Sequence, residues 1–216
     1  MRGRTRAFRA PAALLALVAV AACVGVPSGD RDGRPAPKGG TVVPSWLVRV
    51  RIPGHLERPT REVETRIAED VHALLRGDFT VYPTAARRLV KRGEVVVPYL
   101  GFMGEQDLAG HARKTRIPIV LKPLLIEAPP DHIGIYLVSP YSDVRAAAAV
   151  AAGEHRITAH ATRLVDLLDD PEVEVRRSAV TALRRISNEF LGYRAEDSAA
   201  RRARPTAKWR TLWGPG

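Results

Sequence analysis

Residues 161–187, shifted back by 31 positions, land on a second stretch of the same design. Pro171 falls on Pro140, Val175 on Val144, Arg176 on Arg145, Ala179 on Ala148 and Ala182 on Ala151. In the segment before, Leu164 meets Ile133, Leu167 meets Tyr136 and Leu168 meets Leu137. A unit that recurs at this kind of period cannot bury its apolar face alone, so it must stack on its neighbour. That requirement limits the fold more than any other feature of the chain.

The spacing within the unit defines its parts. Val175, Ala179, Leu183 and Ile186 recur at helical intervals and form one apolar stripe. Ala161, Leu164, Val165 and Leu168 form another just upstream. Two amphipathic helices joined at Asp169-Asp170 make an αα-hairpin. Asp170 is expected to cap the second helix, Pro171 to open it, and Glu172 to sit at its positive end. Glu172 and Arg176 are spaced for an i,i+4 pair.

This pattern resembles the short HEAT repeat, D-P-x-x-x-V-R-x-x-A-x-x-A-L, of the type found in phycobilin lyases. The resemblance covers residues 161–187 and, with departures, 131–152. In the first copy the turn reads Ser139-Pro140, and Gly134 and the Ala-rich second helix are expected to weaken its packing. The resemblance implies an all-α fold, a short right-handed α-solenoid of HEAT-like helix pairs over about residues 60 to 190 with a C-terminal capping helix, since terminal repeats need a cover.

Upstream, Val63, Ile67, Val71, Leu74 and Leu75 share a stripe, and residues 81–93 form a second short helix ending in Lys91, Arg92 and Gly93. Residues 95–101 open a further helix. Across 102–130, Pro118, Pro123, Pro129 and Pro130 are expected to break any long helix. After the repeats, Trp209 and Trp213 are four apart and share a face of the final helix. The organisation is 1–22 leader, 23–45 tether, 46–130 irregular helix pairs, 131–190 repeats and 191–216 capping tail.

The first 22 residues place Arg2, Arg4, Arg6 and Arg9 before an apolar run from Ala10 to Ala22. Such a run suits an export leader and is short of the roughly 20 residues a bilayer span needs. It ends Val20-Ala21-Ala22-Cys23. Small residues before a cysteine resemble the lipobox of bacterial lipoproteins, which implies cleavage before Cys23, lipidation of its sulfur and a place in the bacterial cell envelope. Residues 24–40 are rich in Gly and Pro and poor in apolar side chains, as a flexible tether is. Together these features are similar to bacterial HEAT-repeat lipoproteins.

The sequence points away from catalysis. Its single cysteine forms no internal disulfide, and none of His55, His72, His111, His132, His155 and His160 stands in H-E-x-x-H spacing, so local spacing supplies no zinc-ligand set. Asp169-Asp170 lies in the turn of the repeat. Asp131-His132 lies at a helix start without a nucleophile beside it. The glycines at 101, 104 and 110 form neither a Walker loop nor a dinucleotide turn. No catalytic residue, metal, cofactor or small-molecule substrate is expected.

The net charge is +11, carried by 29 Arg and only 5 Lys, a bias that fits either the codon usage of a GC-rich genome or phosphate binding by forked guanidinium groups. Arg176, Arg177, Arg184 and Arg185 lie off the apolar stripe and are the candidate surface-binding residues. The expected function is a membrane-tethered, non-enzymatic scaffold for a protein or peptide partner. The alternative is a HEAT-like nucleic-acid-binding protein or DNA glycosylase with an arginine-rich groove, which the export signal argues against. A chromophore lyase is a third reading, supported by the repeat type alone.

Overall fold

Both copies of the 31-residue unit are a short helix followed by a longer one, and their long helices begin 31 residues apart, at Ser142 and Val173. The computed structural model describes residues 44–106 and 110–214, within one unit that runs from Thr41 to Gly216. The expected leader, Cys23 and most of the tether lie outside the described residues. Among those residues the chain forms nine α-helices and no strand: α1 Arg61–Arg76, α2 Tyr82–Arg92, α3 Val97–Glu105, α4 Gly110–Glu127, α5 Pro130–Tyr136, α6 Ser142–Glu154, α7 Ala161–Asp166, α8 Val173–Ser187 and α9 Ala199–Trp213. None of these helices is long and apolar enough to cross a membrane.

Equivalent positions of the two copies are equally buried. Ile133 and Leu164, Tyr136 and Leu167, Val144 and Val175, Ala148 and Ala179, and Ala151 and Ala182 all belong to one core. The most extensive helix contact is α6 with α8, and α4 also packs on α6. The Ala-rich α6 does not weaken this stacking, contrary to expectation. Ala147, Ala148, Ala149, Ala151 and Ala152 are all buried, and small side chains let two helix backbones approach. At Gly153 a Cβ would stand 2.7 Å from the Cα of Ala182, so the contact is backbone to backbone.

An arginine at one position of each copy fastens the turn to the next unit. Arg145 donates to the carbonyls of Ser139 and Pro140 and makes a forked pair with the Asp170 carboxylate, at 2.7 and 3.1 Å. Arg176 donates to the carbonyls of Asp170 and Pro171 and, at 2.9 Å, to that of Ala195. The turn residues repeat too: Ser139 Oγ accepts the N–H of Tyr141, and Asp170 Oδ1 accepts the N–H of Glu172. Asp170 therefore closes the turn before α8, whose first residue is Val173, so Pro171 stands outside the helix it was expected to open. Arg176 gives its hydrogen bonds to carbonyls, not to the Glu172 carboxylate.

The N-terminal half is more regular than its prolines suggest. Ile67, Val71 and Leu74 of α1 are fully buried, as their spacing requires, and α2 ends at Gly93 with a positive φ of 78°. The expected break across 102–130 is overturned by α4, which carries Pro118 and Pro123 inside it. Each proline costs a helix interior about 3 kcal/mol. Ile117, Val120, Leu121, Leu124 and Leu125 are buried at helical spacing, and each contributes about 1.5–3 kcal/mol on burial. That sum exceeds the two proline penalties, and both prolines stand on the half-buried flank. Arg116 of α4 donates to the Leu74, Leu75 and Gly77 carbonyls at the C-terminal end of α1, where a cation is favoured.

At the far end α9 packs on α7. Ser198 caps it by accepting the Arg201 N–H. Trp209 is fully buried and Trp213 packs beside it, as a shared face requires.

Candidate functional site

Three segments distant in sequence meet at one carboxylate. His55 stands in the turn Pro53–Leu56, closed by a 3.0 Å backbone hydrogen bond. Glu94 opens the short 3₁₀ turn after Gly93, where the positive φ redirects the chain between α2 and α3. His132 lies in the first turn of α5, and Tyr136 lies one turn further on the same helix.

His55 Nε2 is 3.0 Å from Glu94 Oε1, and His132 Nδ1 is 3.0 Å from both Glu94 oxygens. The Tyr136 hydroxyl is 3.2 Å from His55 Nε2 and hydrogen-bonds to Glu94. The two imidazole rings lie side by side with centroids 4.3 Å apart. The His55 and Glu94 side chains are only 13% and 16% exposed, so the group is largely shielded from water.

The electrostatics follow from this arrangement. Burial pushes the Glu94 carboxyl up, but the hydrogen bonds from His132, Tyr136 and His55 hold it below its ordinary value on balance. Tyr136 is raised far above the usual phenol range, first by burial and then by the hydrogen bond to Glu94 and its charge. The result is a fixed carboxylate facing two imidazole nitrogens and a neutral phenol. His55 Nδ1 is buried without a partner, so the group is incomplete as a hydrogen-bond network.

Tyr136 also links this cluster to a groove of about 380 Å³ between the segment before α1, the start of α3 and the α5–α6 turn. Pro53, Val97, Pro98, Ile135, Val138 and Pro140 make its walls mainly apolar. Val138 is 65% exposed and Ile135 40%.

The four arginines expected at the surface do not form a free cationic face. Arg176 is buried and spends its donors on carbonyls, which corrects its placement among surface residues. Arg184 stacks on Phe190 and donates to the Tyr193 carbonyl, and burial draws its guanidinium below its ordinary value. Arg177 pairs with Glu174 and Glu196, and Arg185 with Glu154 of α6. Only Arg177 and Arg185 remain about half exposed. Cys23, the expected lipid attachment point, lies outside the described residues.

Sequence spacing found no ligand set among the histidines, and His155 and His160 spend a ring nitrogen on the backbone. Each ring bonds a backbone carbonyl, that of Ile126 and of Pro130 respectively. His55 and His132 are different. They reach Glu94 across 39 and 38 residues, a juxtaposition that only the fold creates. A weak signal was present: the second copy carries Arg163 and Leu167 where the first carries His132 and Tyr136, so neither polar group is demanded by the repeat. No family model, curated protein or solved structure matches the chain.

Proposed function

We propose that this protein is a lipid-anchored, non-enzymatic interaction scaffold of the bacterial cell envelope, built as a short right-handed α-solenoid of HEAT-like helix pairs. The observation that carries the reading is the repeated stacking unit. α6 on α8 and the Arg145 and Arg176 fastenings use the chain's most regular residues for assembly. Stacked helix pairs generate extended surfaces suited to a protein or peptide. The groove with Ile135 and Val138 on its walls is the face we assign to the partner, because an apolar centre with a polar surround is the usual make-up of an interface. The lipobox-like Val20-Ala21-Ala22-Cys23 and the tether after it support attachment to the membrane.

The nucleic-acid reading has less support. Phosphate binding draws on arginines free to neutralise it, and the five arginines of the second copy are committed to internal partners.

The groove is tested by cross-linking in intact membranes, comparing the wild type with Val138→Asp and Ile135→Asp. Each aspartate should remove the wild-type cross-linked species while leaving the melting temperature unchanged. Recovery of the same species from both variants would show that the partner, if one is bound, sits elsewhere.

A further inference from the structure

We propose that His55, Glu94 and His132 bind a divalent transition-metal ion, with zinc the best match to the donors. Two imidazole nitrogens and one carboxylate are the ligand types zinc takes, and calcium or magnesium would require mainly oxygen. One ligand atom from each residue lies within 4.8 Å of the others. Both imidazoles turn a nitrogen to the same carboxylate at 3.0 Å. Two atoms so spaced subtend about 90° at an ion about 2.1 Å from each, and a tetrahedral ion needs them about 3.4 Å apart. Each nitrogen–carboxylate spacing is therefore about 0.4 Å from what a tetrahedral ion needs, and the two nitrogens lie within 4.8 Å of each other.

Three observations favour an ion over a structural hydrogen-bond cluster. The His55 and Glu94 side chains are only 13% and 16% exposed, so their donor atoms are gathered where water has little access. Next, the two imidazoles, with ring centroids 4.3 Å apart, both turn a nitrogen to one shared carboxylate. Last, the repeat does not require His132 or Tyr136, since its second copy is built with Arg163 and Leu167.

Three protein ligands leave a further coordination position. The Tyr136 hydroxyl, 3.2 Å from His55 Nε2, donates to Glu94 and so holds the carboxylate beside the two rings. The ion would join the segment before α1 to α5, both of which border the apolar groove. The site does not depend on what the groove binds.

The test uses the full chain, purified and stripped with a chelator, then titrated separately with Zn²⁺ and Co²⁺. One ion per chain, a visible Co²⁺ spectrum of nitrogen and oxygen ligation and a rise in melting temperature with Zn²⁺ are expected. His132→Ala and Glu94→Gln should each weaken binding by more than about tenfold, the least that even an outer-sphere partner contributes, and the exposed His72→Ala should leave it unchanged. In the wild type, Zn²⁺ should protect His55 and His132, but not His72, from imidazole-modifying reagent read by peptide mass, which removes any dependence on how the variants fold. An absence of binding, or unprotected His55 and His132 in the zinc-loaded chain, would overturn the proposal.

Discussion

Asp170→Ala should be among the most damaging single substitutions in the chain, although it touches no apolar contact. The Asp170 carboxylate is nearly fully buried, at 5% exposure, and its Arg145 partner is 14% exposed. The carboxylate takes two hydrogen bonds from Arg145 and one from the Glu172 N–H. Removing one partner of a buried pair leaves the other charge uncompensated, at a cost of about 3–5 kcal/mol. Arg145 keeps its bonds to the Ser139 and Pro140 carbonyls, which offset part of that. Losing the turn acceptor adds about 1 kcal/mol. The expected loss is about 3 kcal/mol, or about 6–12 °C in melting temperature for a domain of this size. The assay is urea unfolding of Asp170→Ala, Arg145→Met and the double variant. Because the two residues form one network, the double variant should lose at least about 1 kcal/mol less than the sum of the singles. An Asp170→Ala loss below about 1 kcal/mol, or strict additivity, would refute the idea that this pair fastens one repeat to the next.

Gly153→Ala should destabilise the protein by about 1–3 kcal/mol despite a better helix former, because the added Cβ meets the Ala182 Cα at 2.7 Å; unchanged or higher stability in urea would show that α6 and α8 can separate freely. Pro118→Ala should stabilise by about 1–3 kcal/mol, since it restores a helix hydrogen bond on a half-buried flank, and thermal melts read the sign directly. Tyr193, bonded to the Leu168 carbonyl, is pushed up to about 12 by burial. Its folded value lies above its unfolded one, so its contribution is fully present below pH about 10 and is lost as pH rises towards about 12. Tyr193→Phe should flatten that part of the alkaline stability profile, and an unaltered profile would contradict the assignment.

The parts of the fold that could be read from the sequence are those where period and burial agree. The α1 stripe from Ile67 to Leu74, the Gly93 stop, the 31-residue register and the shared face of Trp209 and Trp213 all rest on local spacing that packing then confirms. α4 was not legible because Pro118 and Pro123 give a strong local signal against a helix, and burial of Ile117 through Leu125 overrides it only once neighbouring helices are in place. The Ala run of α6 looked like weak packing because side-chain size says nothing of how closely a partner helix can come. Arg176 looked like surface because a helical wheel shows the stripe that one hairpin buries and not what the next segment covers. The His55–Glu94–His132 group has no local spacing at all, so no period could reveal it.

The most direct test of a membrane-held scaffold is the intact mass and membrane partitioning of natively expressed protein beside a Cys23→Ala variant. The account expects a wild-type chain that starts at Cys23, carries acyl mass and sediments with membranes, and a variant that does neither. An unmodified wild-type chain recovered from the cytosol would contradict the account and return attention to nucleic acid as the partner.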